Sequence, residues 1–197
     1  MKTDIVLAGV GGQGILSIAA AIGLAALENS LQIKQSEVHG MSQRGGAVQS
    51  HLRISSDSIA SDLIPLGSAD LILSVEPMES LRYLPYLSKN GWLVTNIKPF
   101  INIPNYPGIE EILNEVEKIP NSVVIDADKI AKEAGSLRAS NMAMLGASVP
   151  FLDIPYENIQ NGIRQIFGRK GDKVVEINLA ALEAGRKASE EKKTRNS

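Results

Sequence analysis

Residues 5–18 form the stretch IVLAGVGGQGILSI, which constrains the fold more than any other part of the chain. A β-branched, aliphatic run comes first, four glycines in six positions follow, and a second apolar run without proline continues the stretch. This order predicts a buried strand, a tight loop, and a helix that packs back onto the strand. Such a unit is typical of a parallel sheet covered by helices on both faces, so the stretch predicts an α/β protein.

The remaining chain alternates between apolar runs that predict strands and periodic segments that predict helices. The segment 47–55 alternates, with Val48, Ser50, Leu52 and Ile54 on one side and Gln49, His51 and Arg53 on the other, which predicts a half-exposed antiparallel strand near an edge. We expect one domain over residues 1–188 with a three-layer α/β/α architecture, a mostly parallel mixed sheet and a helical C-terminal extension. We expect residues 189–197 to form a disordered polar tail. The predicted strands are 2–9, 31–38, 47–55, 70–76, 91–97 and 122–127. The predicted helices are 15–29, 77–89, 109–118, 128–135, 140–149, 156–167 and 172–187. Pro85 should kink the helix over 77–89 or end it early.

Composition excludes several classes of protein. The formal net charge of −2 gives no electrostatic reason to expect a nucleic-acid partner. The absence of cysteine excludes disulfides, thiolate-held iron–sulfur clusters and thiol nucleophiles within this chain, and it fits a cytoplasmic protein. No secretory signal and no membrane span are expected. The sequence shows no metal-ligand spacing, no paired carboxylates and no Ser/His/Asp order, so no metal site is expected and the catalytic residues remain unknown.

The glycines of the opening stretch match the spacing G-x-G-x-x-G. A loop with this spacing places backbone N–H groups at a helix N-terminus, where anions are favoured. The alternative is that the glycines only form a tight turn and let the helix approach the sheet. The residues concerned are Gly9, Gly11, Gly12, Gln13 and Gly14.

A dinucleotide site of the dehydrogenase type also requires an acidic residue about 20 positions further on, at the end of the second strand. That position falls at residues 32–35, which are Gln-Ile-Lys-Gln. The nearest carboxylates are Glu28, on the predicted first helix, and Glu37, beyond the required position. The sequence therefore argues against NAD as the ligand of the glycine loop.

A second glycine-rich segment, residues 37–46, has no helical or strand period and predicts a loop at the same sheet edge. It carries an imidazole, a hydroxyl, an amide and a guanidinium, and the Arg44 guanidinium could hold a carboxylate or phosphate bidentately. The alternative is a surface loop whose polarity reflects exposure alone, with a structural histidine. The candidate residues are His39, Gly40, Met41, Ser42, Gln43, Arg44, Gly45 and Gly46.

Two further polar residues are interpreted as structural. Glu76 ends an apolar run directly before Pro77. A carboxylate at this place orders a loop or meets the N-terminus of a helix, and we favour that role over catalysis. His51 lies on one face of a predicted strand, where a structural role is also favoured.

Four segments together carry a resemblance to a known family: GVGGQGI at 9–15, EVHGMSQRGG at 37–46, SVEP at 74–77 and NMAMLG at 141–146. In order and spacing they resemble the gamma domain of the 2-oxoacid:ferredoxin oxidoreductases over roughly residues 1–150. The resemblance adds Glu76 and Asn141 to the residues expected to face a ligand or partner. One departure is the segment SDLIP at 61–65, where many relatives have proline after the serine, so the conformation of that loop stays open.

The resemblance implies a subunit that is inactive alone. The complex would oxidatively decarboxylate a 2-oxoacid with coenzyme A, giving an acyl-CoA, carbon dioxide and two reduced ferredoxins. Within the family the resemblance is strongest to the beta subunit of the indolepyruvate branch, which implies indolepyruvate or another aryl pyruvate as substrate. Thiamine diphosphate, magnesium and 4Fe–4S clusters would lie on a larger alpha subunit. This chain alone would bind no cofactor, and its two glycine loops would face that partner or coenzyme A.

Three alternatives remain open at this point. The chain could be the gamma subunit of a pyruvate, branched-chain or 2-oxoglutarate ferredoxin oxidoreductase, because these enzymes share the domain. It could be a free-standing nucleotide- or dinucleotide-binding protein that uses the glycine loop. It could also be an assembly subunit with no ligand. A surface shaped to cover a partner exposes apolar residues, so the isolated chain could associate into a homodimer.

Overall fold

The computed structural model describes residues 1–40 and 45–196, with side-chain burial through residue 194. Within these residues one six-stranded sheet has the order β2-β3-β1-β4-β5-β6. Strand β3 pairs antiparallel with both β1 and β2, whereas β1, β4, β5 and β6 are joined by parallel pairing. The predicted α/β class and mixed sheet are confirmed. The strands are β1 (Lys2–Val10), β2 (Gln32–His39), β3 (Ala47–Ser55), β4 (Ala69–Ser74), β5 (Leu87–Asn96) and β6 (Ser122–Ile125).

Helices cover both faces of the sheet. Successive side chains of a strand point to opposite faces, so one strand contributes apolar residues to the core on each side. Ile5 and Leu7 of β1 belong to the larger core cluster, to which five of the helices contribute, whereas Val6 belongs to a smaller cluster on the opposite face. The larger face carries α1, α4, α5, α6 and α7, and the smaller face carries α2 and α3. The helices of the described chain are α1 (Ile15–Glu28), α2 (Pro77–Arg82), α3 (Ile109–Glu117), α4 (Ala127–Glu133), α5 (Ser140–Ser148), α6 (Tyr156–Phe167) and α7 (Asp172–Asn196).

The structure corrects several predicted boundaries. Strand β2 continues to His39, one residue past the predicted strand 31–38 and into the segment 37–46 that was expected to form a loop. It does so because residues 37–39 pair with Ser50, Gln49 and Val48 of β3. The helix expected over 77–89 ends at Arg82 and is followed by a short 3₁₀ turn at Leu84–Tyr86, which confirms the early end expected at Pro85. Helix α4 begins at Ala127, one residue before the predicted start at 128, and the Asp126 carboxylate caps it by accepting a hydrogen bond from Lys129 N at 2.9 Å.

The last helix is longer than expected. It was predicted to end at Lys187 before a disordered tail, but α7 continues through Asn196. Ser189 is fully buried, and the Lys193 ammonium donates a hydrogen bond to Pro150 O at 3.0 Å. The same ammonium lies 4.9 Å from the ring centre of Phe151. A polar sequence thus remains helical because Lys193 contacts the body of the domain, which the sequence pattern does not show.

Helices α5 and α7 cross in close contact through two glycines. A Cβ atom built on Gly146 would lie 2.0 Å from Leu182 O, and one built on Gly185 would lie 2.0 Å from Ala143 O. Each glycine therefore contacts the backbone of the opposite helix, and no other residue fits either position without moving the helices apart. None of the helices in the described ranges combines the length and the apolar surface that a bilayer span requires.

Candidate functional site

The first glycine loop joins the end of β1 to the start of α1. Gln13 closes the loop twice: its backbone N–H donates to Val10 O at 3.1 Å, and its Oε1 accepts from Val10 N at 2.7 Å. Gly12 and Gly14 have φ values of +102° and +82°, which glycine adopts without strain. No side chain caps α1, and its first turn carries no acidic residue. The positive end of the helix dipole is therefore left for another group.

The two glycine-rich loops are hydrogen-bonded to each other. Gly11 N donates to Gly46 O at 2.8 Å, and Gly45 N donates to Gly11 O at 3.3 Å. They meet because β1 and β3 are neighbours in the sheet and their ends, Val10 and Ala47, are paired. The two loops predicted at one sheet edge are thus in contact. Met41, Ser42, Gln43 and Arg44 lie outside the described residues, and their assignment stays a prediction.

The beginning of the second segment is less enclosed. The half-exposed His39 imidazole contacts the Glu37 carboxylate beside it on β2. Gly40 N donates to Ala47 O at 2.9 Å, which extends the β2–β3 pairing by one residue. The structure therefore places His39 and Gly40 at the end of an edge strand, on the approach to the loop.

Asn141 contacts the first loop from the far end of the sequence. Its Nδ2 donates to Gly14 O at 3.2 Å, although the two residues are 127 positions apart. A Cβ atom on Gly14 would lie 2.5 Å from that nitrogen, so the side chain of Asn141 occupies the space that the glycine leaves. Only the family resemblance indicated Asn141; no local pattern in the sequence pairs it with the loop.

Glu76 is fully buried at the end of β4 and holds two structures in place. Its Oε2 accepts from Glu79 N at 2.8 Å and caps α2. Its Oε1 accepts from Phe100 N at 3.2 Å and from the Tyr106 hydroxyl. Burial and this hydrogen bond raise the pKa of Tyr106 well above its ordinary value. The carboxylate thus caps a helix and orders a loop, which is the role that its residue type and position favoured. Because Glu76 is fully buried, the structure does not support the expectation that it faces a ligand or partner.

The loop ordered by Glu76, residues 97–108, reaches the second glycine segment. Asn102 Nδ2 donates to Gly45 O at 2.7 Å. A chain of hydrogen bonds therefore runs from Glu76 through this loop to Gly45, and from there to Gly11. Sequence reasoning missed Asn102 and Tyr106, because a proline-rich segment has no period that would indicate which side chains turn inward.

A cavity of about 380 Å³ opens beside the first glycine loop. It lies at the carboxyl ends of the neighbouring strands β1 and β4. The strand order reverses between these two strands, and open α/β sheets bind ligands at such a point. Burial raises the pKa of the Asp128 carboxyl on its wall, with the Asp126 carboxylate as a second cause. Sequence reasoning missed Asn96, Asp128 and Arg138. The lining residues are Gly12, Gln13, Gly14, Val75, Asn96, Asp128, Leu137, Arg138, Ser140, Asn141 and Met144.

His51 lies away from this edge of the sheet and has structural partners. Its Nδ1 accepts a hydrogen bond from Ile64 N at 2.8 Å, and the Gln49 amide lies 2.6 Å from Nε2. Burial lowers the pKa of the imidazole. A neutral histidine that accepts from a backbone N–H fits the structural role favoured from the sequence.

The donor set of the chain does not fit an iron–sulfur cluster, because the sequence contains no cysteine. In the part of the chain that the structure describes, no three His, Cys, Asp or Glu side chains come together in a way that could hold a metal ion. No step of the chemistry is therefore assigned to a metal or cluster on this chain.

Fold and site together define a doubly wound α/β domain whose glycine loops form one surface at the switch point of the sheet. The chain belongs to the pyruvate ferredoxin/flavodoxin oxidoreductase family, whose model matches residues 4–188. It is 39% identical over 198 residues to the indolepyruvate oxidoreductase subunit IorB of Pyrococcus horikoshii. The alignment covers 95% of this chain and 96% of that protein.

Two solved structures share the fold. The pyruvate oxidoreductase subunit PORC of Thermotoga maritima matches with a TM-score of 0.72 and 23% identity, over 94% of this chain and 96% of that one. The 2-oxoglutarate:ferredoxin oxidoreductase of Magnetococcus marinus, with 2-oxoglutarate, coenzyme A and succinyl-CoA bound, matches with a TM-score of 0.75 and 20% identity. That match covers 96% of this chain and 31% of the longer one. The chain is accordingly a subunit of the 2-oxoacid:ferredoxin oxidoreductase class.

Proposed function

We propose that the chain is the small subunit of a cytoplasmic ferredoxin-dependent oxidoreductase that converts indolepyruvate or another aryl pyruvate to an acyl-CoA. A larger alpha subunit carries thiamine diphosphate, magnesium and the 4Fe–4S clusters, and the small subunit is inactive alone. The similarity to an indolepyruvate subunit over nearly the whole chain supports the substrate class. The absence of cysteine supports the placement of the clusters on the partner.

One observation carries the proposal: Gly11, Gly45 and Gly46 join the two glycine loops into a single surface at the carboxyl edge of the sheet. Loops held in this way present backbone groups and the uncapped end of α1 to something outside the chain. We propose that this surface faces the alpha subunit and coenzyme A, and that Ser42, Gln43 and Arg44 take part in binding one of them.

Exposed apolar side chains adjoin this surface and support a partner there. Phe100, Ile101 and Ile103 are 41%, 72% and 42% exposed, and they surround Asn102, which is bonded to Gly45. Apolar residues grouped beside polar ones are typical of protein–protein interfaces. The partner surface therefore includes the tip of the 97–108 loop.

The test is anaerobic co-expression of the chain with its larger partner, followed by measurement of coenzyme-A-dependent ferredoxin reduction. We expect activity with indolepyruvate to exceed activity with pyruvate, 2-oxoglutarate and branched-chain 2-oxoacids, and we expect none from the small subunit alone. Ile101→Glu should reduce capture of the partner, whereas Leu27→Glu should not: Leu27 is 59% exposed at the far end of α1. Equal capture of the partner by both variants would show that the loop tip is not part of the interface.

Arg44 is tested in the same complex. Arg44→Ala should raise the KM for coenzyme A or for the 2-oxoacid without preventing assembly, because it removes the guanidinium that would bind an anionic substrate group. If both KM values are unchanged in a normally assembled complex, Arg44 is not part of the substrate site.

A further inference from the structure

The smaller face of the sheet is covered less completely than the larger face. Within the described ranges, the α-helices over it are the six-residue α2 and the nine-residue α3, whereas five helices lie over the opposite face. A groove of about 800 Å³ lies between α2 and α3. None of the described residues of the two glycine loops lines it, so the groove is a separate feature of the surface.

The groove has an apolar lining that is only partly covered. Met78 and Leu81 of α2 and Ile112 of α3 contribute to it, together with Pro107, which precedes α3. Ile112 is buried, but Met78 and Leu81 are half-buried and Pro107 is exposed. Covering these side chains would remove further apolar surface from water, which stabilises a complex. The flexible Met78 side chain can adapt to the shape of what covers it.

The side of the groove that α3 forms is acidic. The segment 109–118 carries four glutamates and one lysine, and Glu111, Glu115 and Lys118 line the groove. The Lys118 ammonium is paired with the Glu115 carboxylate at 2.5 Å. The Glu111 carboxylate has no ion-pair partner among the described residues, so this side of the groove keeps a net negative charge.

This charge decides which kind of partner the groove fits. A second copy of the chain, related by a twofold axis at the groove, would bring the glutamates of two α3 helices against each other, and like charges repel. An acidic partner would be repelled in the same way. The complement is a row of apolar side chains flanked by lysine or arginine. An amphipathic helix presents this pattern and packs into a groove between two helices.

The groove also adjoins the surface already assigned to a partner. Pro107 lines the groove and belongs to the 97–108 loop, whose tip carries the exposed Phe100, Ile101 and Ile103. The apolar surface of the loop therefore leads into the groove along one continuous stretch of chain. A single partner that covers the loop tip has the groove beside it.

We propose that the groove between α2 and α3 is the docking site for a basic amphipathic helix of the larger subunit. The apolar side of that helix packs on Met78, Leu81 and Ile112, and its lysine or arginine side chains pair with Glu111 and Glu115. The assignment rests on the proposed function, because it takes the larger subunit as the partner. It adds a second, electrostatically selected contact to the one at the loop tip.

Reversal of the charge of the groove tests the electrostatic part of the proposal. In anaerobic reconstitution with the purified larger subunit, Glu111→Lys/Glu115→Lys should raise the Kd of the complex at least about tenfold, because two attractive pairs become repulsive. The matched control is Glu110→Lys/Glu117→Lys. These glutamates are exposed on the same helix but do not line the groove, so the same change of net charge should alter the Kd by less than about twofold. Equal weakening by the two double variants overturns the proposal.

Photo-crosslinking in the assembled complex identifies the occupant of the groove. A benzophenone amino acid is placed at position 114, where the exposed Asn114 lines the groove, and at position 117 as the control. We expect position 114 to crosslink to a segment of the larger subunit with helical apolar spacing and several lysines or arginines, and position 117 to give no such product. A crosslink to a second copy of this chain, to an acidic segment, or to nothing overturns the proposal.

The two experiments separate failure of this proposal from failure of the proposed function. If the parent chain assembles an active complex with the larger subunit while position 114 gives no crosslink to that subunit, the docking site is wrong and the proposed function stands. If the parent chain forms no complex with the larger subunit, the proposed function is wrong, and the docking site falls with it.

Discussion

At the scale of single residues, Glu76 is the side chain on which the candidate site depends most. It is fully buried, and its carboxylate accepts from Glu79 N, Phe100 N and the Tyr106 hydroxyl. We expect Glu76→Gln to lower the free energy of unfolding by about 2 kcal/mol, because a neutral amide loses charge-assisted hydrogen bonds and turns an NH₂ group towards a buried donor. Urea denaturation measures the change.

The matched control for this prediction is Glu115→Gln. Glu115 is exposed on α3 and pairs with Lys118 at the surface, so its loss should change stability by less than about 0.5 kcal/mol. Hydrogen exchange should also accelerate in the 97–108 loop of the Glu76 variant alone. Similar losses in the two variants would show that the hydrogen bonds of Glu76 do not hold this loop.

At the scale of secondary-structure elements, the crossing of α5 and α7 limits what the larger face of the sheet can accept. Gly185→Ala would place a methyl group against Ala143 O, within 2.0 Å in the present geometry. Alanine favours a helix by about 1 kcal/mol over glycine, but separating two packed helices costs more. We expect a net loss of about 2 kcal/mol in the free energy of unfolding, measured in urea.

Gly168→Ala provides the comparison for this substitution. Gly168 follows α6 with φ −53°, and a Cβ atom there meets nothing within 4 Å. Alanine at this position should leave stability unchanged or raise it by up to about 1 kcal/mol. A stabilising effect of Gly185→Ala would mean that the two helices are not in backbone contact.

At the scale of the whole molecule, the end of α7 joins the last helix to the far edge of the sheet. Lys193 lies 5.8 Å from the ring centre of Trp92, which stacks on Phe151 at 4.5 Å. Removal of residues 189–197 should cost about 2 kcal/mol, and since about 1 kcal/mol shifts Tm by roughly 2–4 °C in a domain of this size, Tm should fall by several degrees.

Trp92 is the single tryptophan of the sequence, so its fluorescence reports this contact directly. Truncation should shift its emission to longer wavelength, as water reaches the ring. Lys187→Gln, an exposed substitution on the same helix, should leave both Tm and emission nearly unchanged. Unchanged emission after truncation would contradict the packing of the α7 end against Trp92.

The sequence correctly predicted those helices, strands and loops that are encoded by patterns of neighbouring residues. The strand–glycine loop–helix unit, the alternating strand at 47–55 and the helix at 156–167 are all present, because each is encoded by a period of two or 3.6 residues, or by glycine spacing. The family was also identified from four short motifs, and the comparison with known proteins confirms it. The boundaries were less accurate where neighbouring strands or helices extend an element, as in β2 and α7.

By itself, the sequence determined the α/β class, the family and the presence of two glycine-rich loops, since these follow from short-range patterns. Only the tertiary structure decided that the two loops share hydrogen bonds, and that Asn141 and Asn102 contact them. It also decided that Asn96, Asp128 and Arg138 line one cavity. The physical reason is that these contacts depend on the strand order β2-β3-β1-β4-β5-β6, which brings together chain segments that no sequence period connects.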